Sequence, residues 1–370
     1  MSLKPTAATQ AAPAFPNSAH SGALSAPLTG TLLTSGQQTN PRFELIQGGA
    51  PSTLALATRG DRARTASFKV STRSPLHVVV QGPSAPESAL GYLKTLLRPA
   101  ADTVRLPSGA LHGDAFRLHD VSSDAADYDL AKEFARSASL DIAQIPDDRH
   151  IDDLQLVASD VDYTLIDGDF LEKLVELKGD PQADELAWRE DIVESMLGRV
   201  AALAGIPMDH FHEVGEEMMD LLMPGAREFL DKLSPQARVV LLSSGFTQFV
   251  ERLRDKLRAT HVHANRLLTR PDEVHTEVLT GEMDGPFLDG EIKEQLFRRY
   301  HGELPDGARS AAIGDGENDI PMLGAAVQLG GVGAAFRPRY DLGLLPPGVD
   351  VIKHSGYDAL GNLYMGIEEK

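Results

Sequence analysis

The chain has 370 residues, 39.8 kDa, a formal net charge of −19 and a pI near 5.0. That length can hold a sizeable core in two domains plus a tail, while the acidic balance argues against nucleic acid or an anionic membrane as partner, since phosphate backbones repel such a surface. The absence of cysteine excludes disulfides, thiolate catalysis and Cys-ligated zinc.

Residues 1–42 are rich in Ala, Ser, Thr, Pro and Gly, and no acidic residue precedes Glu44. Such a segment buries little apolar surface and reads as a disordered low-complexity tail, with too little Arg for a transit peptide. No uninterrupted apolar stretch approaches the ~20 residues of a membrane helix, so a cytoplasmic setting is expected. Residues 43–150 read as a small α/β module, with strands at 76–80 and 103–106 and a helix at 86–97.

The apolar run at 154–158 ends in Asp160 and Asp162, followed by Tyr163 and Thr164. Side chains two apart on a strand point the same way, so both carboxylates converge at the strand's carboxyl end. Open α/β sheets put their ligands there. Two such charges stay ionised together only beside a cation or by sharing a proton. A metal site, a phosphate site, or both would satisfy them. Taken alone, most such pairs are solvated loop carboxylates or turn formers, and the decision comes from what lies downstream.

Residues 168–222 carry apolar positions at helical spacing, including Phe170, Leu171, Leu174, Met196 and Leu203, and predict a small helical cap. A second strand at 237–242 ends in Ser243, Ser244 and Gly245 before a helical pattern at 248–257. A hydroxyl and a Gly at a strand-to-helix junction offer Oγ and N–H donors to an oxyanion. His210, His212, His261 and His263 lack a third ligand at metal spacing. Lys293 lies in a helical stretch at 291–300, where it reads equally as a surface lysine. A third strand at 310–313 runs into Gly314, Asp315, Gly316, Glu317, Asn318 and Asp319. Asp160, Asp162, Asp315 and Asp319 together form an all-oxygen set of the hardness Mg²⁺ prefers, and the spacing of a calcium loop is absent.

Taken in order, Asp160-Val-Asp162-Tyr-Thr164, Ser243-Ser-Gly245, Lys293 and the run from Gly314 to Met322 resemble the four motifs of the haloacid dehalogenase-like phosphohydrolases. The last motif is similar to that of phosphoserine phosphatases. The resemblance implies a doubly wound parallel sheet at 151–370 with a helical cap at about 168–222. It implies a Mg²⁺-dependent phosphomonoesterase with Asp160 as nucleophile, Asp162 as general acid and base, and Ser243 and Lys293 on the phosphoryl oxygens. Metal ligands would be Asp160, the Asp162 carbonyl and Asp315, with Asp319 in support. Thr164, Ser244, Gly245 and Asn318 fall among the substrate-binding positions. Asp169 and Arg199 take the positions that read the amine and carboxylate of phosphoserine. The substrate is thus a small phosphorylated metabolite, phosphoserine first. The alternatives are phosphatase or phosphotransferase action on another small amine or alcohol phosphate, or a catalytically weakened ligand-sensing regulator. The 43–150 module would be ACT-like and support a homodimer. Two residues depart from the pattern: Tyr163 stands where Ser or Gly is usual, and Ser244 where Gly is.

Overall fold

The computed structural model describes residues 43–46, 53–56, 76–82, 87–100, 103–106, 114–121, 125–146, 154–178 and 192–364. The expected tail at 1–42 lies outside them, as do residues 179–191 of the expected cap. The chain divides into two compact units, residues 1–72 and 73–370. In the first, β1 (Phe43–Ile46) and β2 (Thr53–Leu56) pair antiparallel.

The second unit begins with β3 (Leu76–Gly82), α1 (Glu87–Leu97), β4 (Val104–Leu106), β5 (Asp114–Val121), α2 (Ala125–Ser137) and β6 (Asp141–Pro146). The strands form an antiparallel sheet in the order β4-β5-β3-β6, a βαββαβ split arrangement. Ala89, Leu93 and Leu97 recur every four residues on α1, and Tyr128, Ala131 and Ala135 line one face of α2. Both helix faces pack on Val78, Val80, Leu118 and Ile142. The other sheet face, with Val79, Ala115 and Ala143, joins the main core of the chain. The expected break at 150/151 is therefore no boundary between compact units, because the module's sheet is buried on both sides. The hairpin at 43–56, expected within the module, belongs to the other unit.

The remaining elements are β7 (Leu154–Ser159), α3 (Phe170–Lys178), α4 (Ile192–Ala202), α5 (Met208–Met219), α6 (Ala226–Asp231), β8 (Arg238–Phe246), α7 (Thr247–Lys256), β9 (His261–Asp272) and β10 (Thr276–Asp284). They continue through α8 (Gly290–Gly302), β11 (Arg309–Gly314), α9 (Ile320–Gln328), β12 (Val332–Phe336), β13 (Asp350–Ile352) and α10 (Leu360–Tyr364). The sheet order is β10-β9-β8-β7-β11-β12-β13, parallel except for β10. Without β10 this is the doubly wound order 3-2-1-4-5-6, which reverses direction between β7 and β11.

Helices cover both faces, so the central strands read as continuous apolar runs. Val157, Leu241 and Ile313 face one layer, while Leu156, Ala158, Val240 and Ala312 pack on Phe297, Met322 and Leu323 in the other. The cap helices α3, α4 and α5 sit over the strand exits. They lean on β10, where Gly205 N donates to Leu279 O at 2.8 Å and Pro207 bridges Val278. A Cβ at Gly281 would come within 2.9 Å of Ala201 O, so the glycine lets the hairpin approach α4. Among the described residues no helix is long and apolar enough to cross a membrane.

Candidate active site

The three strand exits singled out in the sequence are neighbours in the sheet. Ser159 pairs with Leu241 on one side and Ile313 on the other, which sets the ends of β7, β8 and β11 side by side at the reversal point. Asp160 follows Ser159 directly, its amide donating to Ile313 O at 2.9 Å. Beyond Val161 the chain curls back on itself, since the amides of Thr164, Leu165 and Ile166 all donate to Val161 O. That curl turns Asp162 toward the cap, where its Oδ1 accepts the amide of Phe170 at 3.0 Å, at the start of α3.

Lys293 is fully buried on α8, whose first turn is held by Asp289 accepting from Ile292 N. Its Nζ lies 2.7 Å from Asp160 Oδ1 and 2.7 Å from Asp319 Oδ1. The surface reading of this lysine is thereby set aside, and the helix-face argument fails because α8 packs that face onto the strand ends. Asp319 gives its second oxygen to Gly316 N at 3.0 Å. Both its oxygens are thus engaged by protein donors. A Cβ at Gly314 would fall 2.4 Å from Asp319 Cγ, so only glycine lets the carboxylate fold against the end of β11.

Ser243 Oγ accepts Gly245 N at 2.8 Å and stands 3.4 Å from Asp162 Oδ2. Gly245 keeps this corner open, since a Cβ would sit 3.0 Å from both of those side-chain oxygens and push one of them aside by a few tenths of an ångström. One expected substrate contact is corrected. Thr164 is fully buried and its hydroxyl points to Asp315 Oδ1 at 3.3 Å, so it orients that carboxylate and does not face the cleft. Ser244 lines the cleft as expected, and its Oγ donates to Leu288 O and accepts from Asn318 Nδ2, at 2.9 and 2.8 Å, which ties the loop before α8 to the loop after β11. Asn265 completes that tie, donating to Ser244 O at 2.6 Å and accepting Leu288 N at 2.7 Å. No motif pointed to Asn265, a buried amide on a strand whose sequence shows no clean alternation.

Asp160, Asp315 and Asp319 each offer an oxygen within 4.8 Å of the others, and among the described residues no other such metal-capable group occurs. The carboxylate of Asp162 stands outside this set, which leaves only its backbone carbonyl for a metal. Electrostatics report excess negative charge. Burial, then Asp319, push Asp160 up to about 7 against the pull of Lys293. Burial, Asp160 and Asp319 push Asp315 up to about 9. Asp162 is held well above the carboxylate range by burial, Asp169 and Asp160. For Lys293, burial works to lower the value, yet Asp160 and Asp319 outweigh it and hold the ammonium. A divalent cation among these oxygens would relieve the same repulsion that protons relieve here, and hard oxygen donors suit Mg²⁺.

Above this floor lies a cleft of about 380 Å³, within the size of small-ligand sites. Asp160, Asp162, Asp169, Arg199, Asn318 and Arg339 are among its lining residues. Asp169 caps α3 by accepting Glu172 N at 2.9 Å, and Arg199 Nη2 on α4 stands 3.8 Å from its carboxylate. Tyr163 adopts a left-handed backbone with φ +55°, costing roughly 1–2 kcal/mol for a residue with a Cβ. His212 and His263 pair with Arg252 and Tyr300, away from any metal-capable group.

Comparison with known proteins agrees with this geometry. The family model for haloacid dehalogenase-like hydrolases matches residues 157–324. A phosphoserine phosphatase of Polaromonas is 33% identical over 189 residues, covering 48% of this chain and 79% of that one. One from Lactococcus lactis is likewise 33% identical over 189 residues, covering 49% and 82%. The match to the phosphoserine phosphatase SerB2 of Mycobacterium tuberculosis, 35% identical over 195 residues, spans half of this chain and 44% of that longer protein. In three dimensions, a haloacid dehalogenase family hydrolase of Salmonella enterica superposes with a TM-score of 0.64 at 18% identity, over 79% of this chain and 99% of that one. A probable phosphoserine phosphatase of Vibrio cholerae gives 0.56 at 19%, over 77% and 84%. Motifs, sheet order and relatives converge: the chain belongs to the haloacid dehalogenase-like hydrolases.

Proposed function

We propose that the protein is a Mg²⁺-dependent phosphomonoesterase that works through an aspartyl phosphate on a small phosphorylated metabolite, with phosphoserine as first candidate. The observation that carries this reading is Lys293, buried and bonded to both Asp160 and Asp319 beneath an open cleft. Asp160, Asp315 and the Asp162 carbonyl would hold Mg²⁺, which supplies charge neutralisation on a phosphoryl oxygen.

An oxygen of Asp160 attacks phosphorus as the ester P–O bond breaks, and the electron pair leaves with the alcohol oxygen. Asp162 gives that oxygen its proton, a role its raised proton affinity suits at neutral pH. Water then attacks the aspartyl phosphate, Asp162 takes the proton back, and inorganic phosphate leaves with Asp160 regenerated. Ser243 and the Gly245 region offer donors to the phosphoryl oxygens, and Lys293 balances the charge of Asp160 throughout. The phosphoserine relatives and the pairing of Asp169 with Arg199 support an amino-acid substrate. Tyr163, bulky where the family pattern is small, favours the second reading that another small phosphomonoester is preferred. The βαββαβ module is proposed as an ACT-like ligand-binding or dimerisation element.

Phosphate release from a panel of small phosphomonoesters, with Mg²⁺ and with EDTA, tests the proposal. Turnover of at least one ester in Mg²⁺ and its loss in EDTA are expected. Absence of turnover across the panel in Mg²⁺ would end it in favour of a ligand-sensing regulator.

A further inference from the structure

Two arginines among the described residues of the cleft, Arg199 and Arg339, stand outside the catalytic scheme. Lys293 is committed to Asp160 and Asp319, and Arg199 faces Asp169 at 3.8 Å. Arg339, in the segment after β12, is exposed and lines the same cleft, and among the described residues it forms no ion pair with a carboxylate. Its backbone is fixed beside the floor, the amide donating to Asp315 O at 3.3 Å. Its guanidinium lies 3.7 Å from the centroid of the Tyr163 ring.

Tyr163 is held in turn. Its hydroxyl donates to Glu172 Oε2 at 2.6 Å, and its left-handed backbone sets the direction of the ring. A stacked guanidinium keeps its N–H fork free at the edge, and that fork matches a carboxylate with two parallel bonds. The residue that departs from the family's small position therefore serves as a platform, and the residue standing on it presents to the cleft a guanidinium that bonds no carboxylate among the described residues, although its charge bears on Asp315.

We propose that Arg339, stacked on Tyr163 and steadied through Glu172, reads a carboxylate on the substrate, so that the preferred phosphomonoesters carry an acid group besides the phosphoryl that reacts. The proposal rests on the phosphomonoesterase reading and adds a specificity residue to it. Asp169 and Arg199 neutralise one another in part, whereas Arg339 is bonded to no carboxylate among the described residues and acts on Asp315 only through its field.

The test compares phosphoglycolate with phosphoethanolamine, matched in length and ending in a carboxylate or an ammonium. Arg339→Gln is expected to lower the ratio of kcat/KM for the first over the second by about tenfold or more, the size of a lost charge-assisted hydrogen bond. Arg339→Lys should recover part of the ratio, since it keeps the charge and loses the planar fork. A parallel measurement needs no turnover: calorimetric binding of 3-phosphonopropionate and 3-aminopropylphosphonate to the Mg²⁺-loaded full chain, where the same preference should fall in Arg339→Gln. An unchanged ratio, equal losses on both compounds, or a fall confined to Arg199→Gln would each overturn the assignment. Should no ester be hydrolysed while the phosphonate preference still falls, the phosphatase reading fails and this one stands. Hydrolysis with an unmoved ratio would instead sink the role of Arg339 and leave the phosphatase reading in place.

Discussion

The floor of the site and its rim are built on different terms. On the floor every carboxylate is spoken for: Asp160 and Asp319 by Lys293, Asp315 by Thr164, Asp162 by the amide of Phe170, with Gly314 admitting no Cβ and Gly245 admitting one only if Ser243 or Asp162 shifts. At the rim the contacts are looser or unusual, with Arg199 and Asp169 at 3.8 Å and an arginine stacked on a strained tyrosine. Chemistry at phosphorus tolerates little displacement, whereas recognition of the rest of a substrate can be rebuilt residue by residue. The floor therefore speaks to reaction type and the rim to substrate.

The sharpest way to break the contrast is at the floor. Asp160→Asn is expected to lower turnover by roughly 10⁴-fold or more, as loss of a nucleophile does, and to abolish acid-stable labelling by phosphate. Asp162→Asn should cost about 10²–10⁴-fold, the usual worth of a positioned proton donor. Activity within tenfold of the unmutated protein for either variant would contradict the assignment.

Lys293→Met comes next. The substitution keeps the volume but strands two buried carboxylates, so a loss of about 3–5 kcal/mol in folding stability is expected, together with loss of activity. Denaturant titration measures it, and a loss below about 1 kcal/mol would show that the ammonium is dispensable. Gly245→Ala should leave the fold largely intact but displace Ser243 or Asp162 by a few tenths of an ångström. A drop in kcat of about 10–10²-fold is expected, with little change in melting temperature.

A pH effect follows from the raised carboxylates. Folded values of about 7 for Asp160 and about 9 for Asp315 lie above those of an unfolded chain. The folded state thus binds protons more tightly, and the associated stability is present at low pH and lost as pH rises through that window. In EDTA the melting temperature should fall between pH 6 and pH 9. Added Mg²⁺ should raise it more at pH 8.5 than at pH 6, because protons and metal relieve the same repulsion. A metal-induced shift independent of pH would separate the metal from these carboxylates. The smallest effect belongs to the rim: Tyr163→Phe loses one partly exposed hydrogen bond to Glu172, worth about 1 kcal/mol or less.

The floor was legible in the sequence because its residues sit at strand exits, where local pattern and chemistry coincide. Asp160, Asp162, Asp315 and Asp319 needed only two apolar runs to be placed together, with a third for Ser243. Lys293 was ambiguous, since a lysine on an amphipathic helix looks the same whether its face meets water or a second element. Asn265, Glu172 and Arg339 were not legible at all. Each is an ordinary residue whose meaning comes from a partner 21, 9 or 176 positions away in sequence. The β9 and β10 hairpin was missed because its strands are half exposed without regular alternation. The burial of the module's second sheet face within the unit 73–370 was foreshadowed by the unbroken run Val78-Val79-Val80, the sign of a sheet buried on both faces.

That two-faced sheet bears on how the chain is made. During synthesis β3 to β6 emerge before the partners that cover their second face, since Tyr357, Leu360 and Tyr364 lie near the end of the sequence. The module can form its own helix-covered layer early, yet it must hold Val79, Ala115 and Ala143 uncovered until about two hundred further residues have been made. For roughly 10–40 s at ordinary elongation rates, the nascent protein presents an apolar sheet face with no native cover. Chaperone engagement should concentrate in that interval, and translation of Tyr357 to Tyr364 ends it.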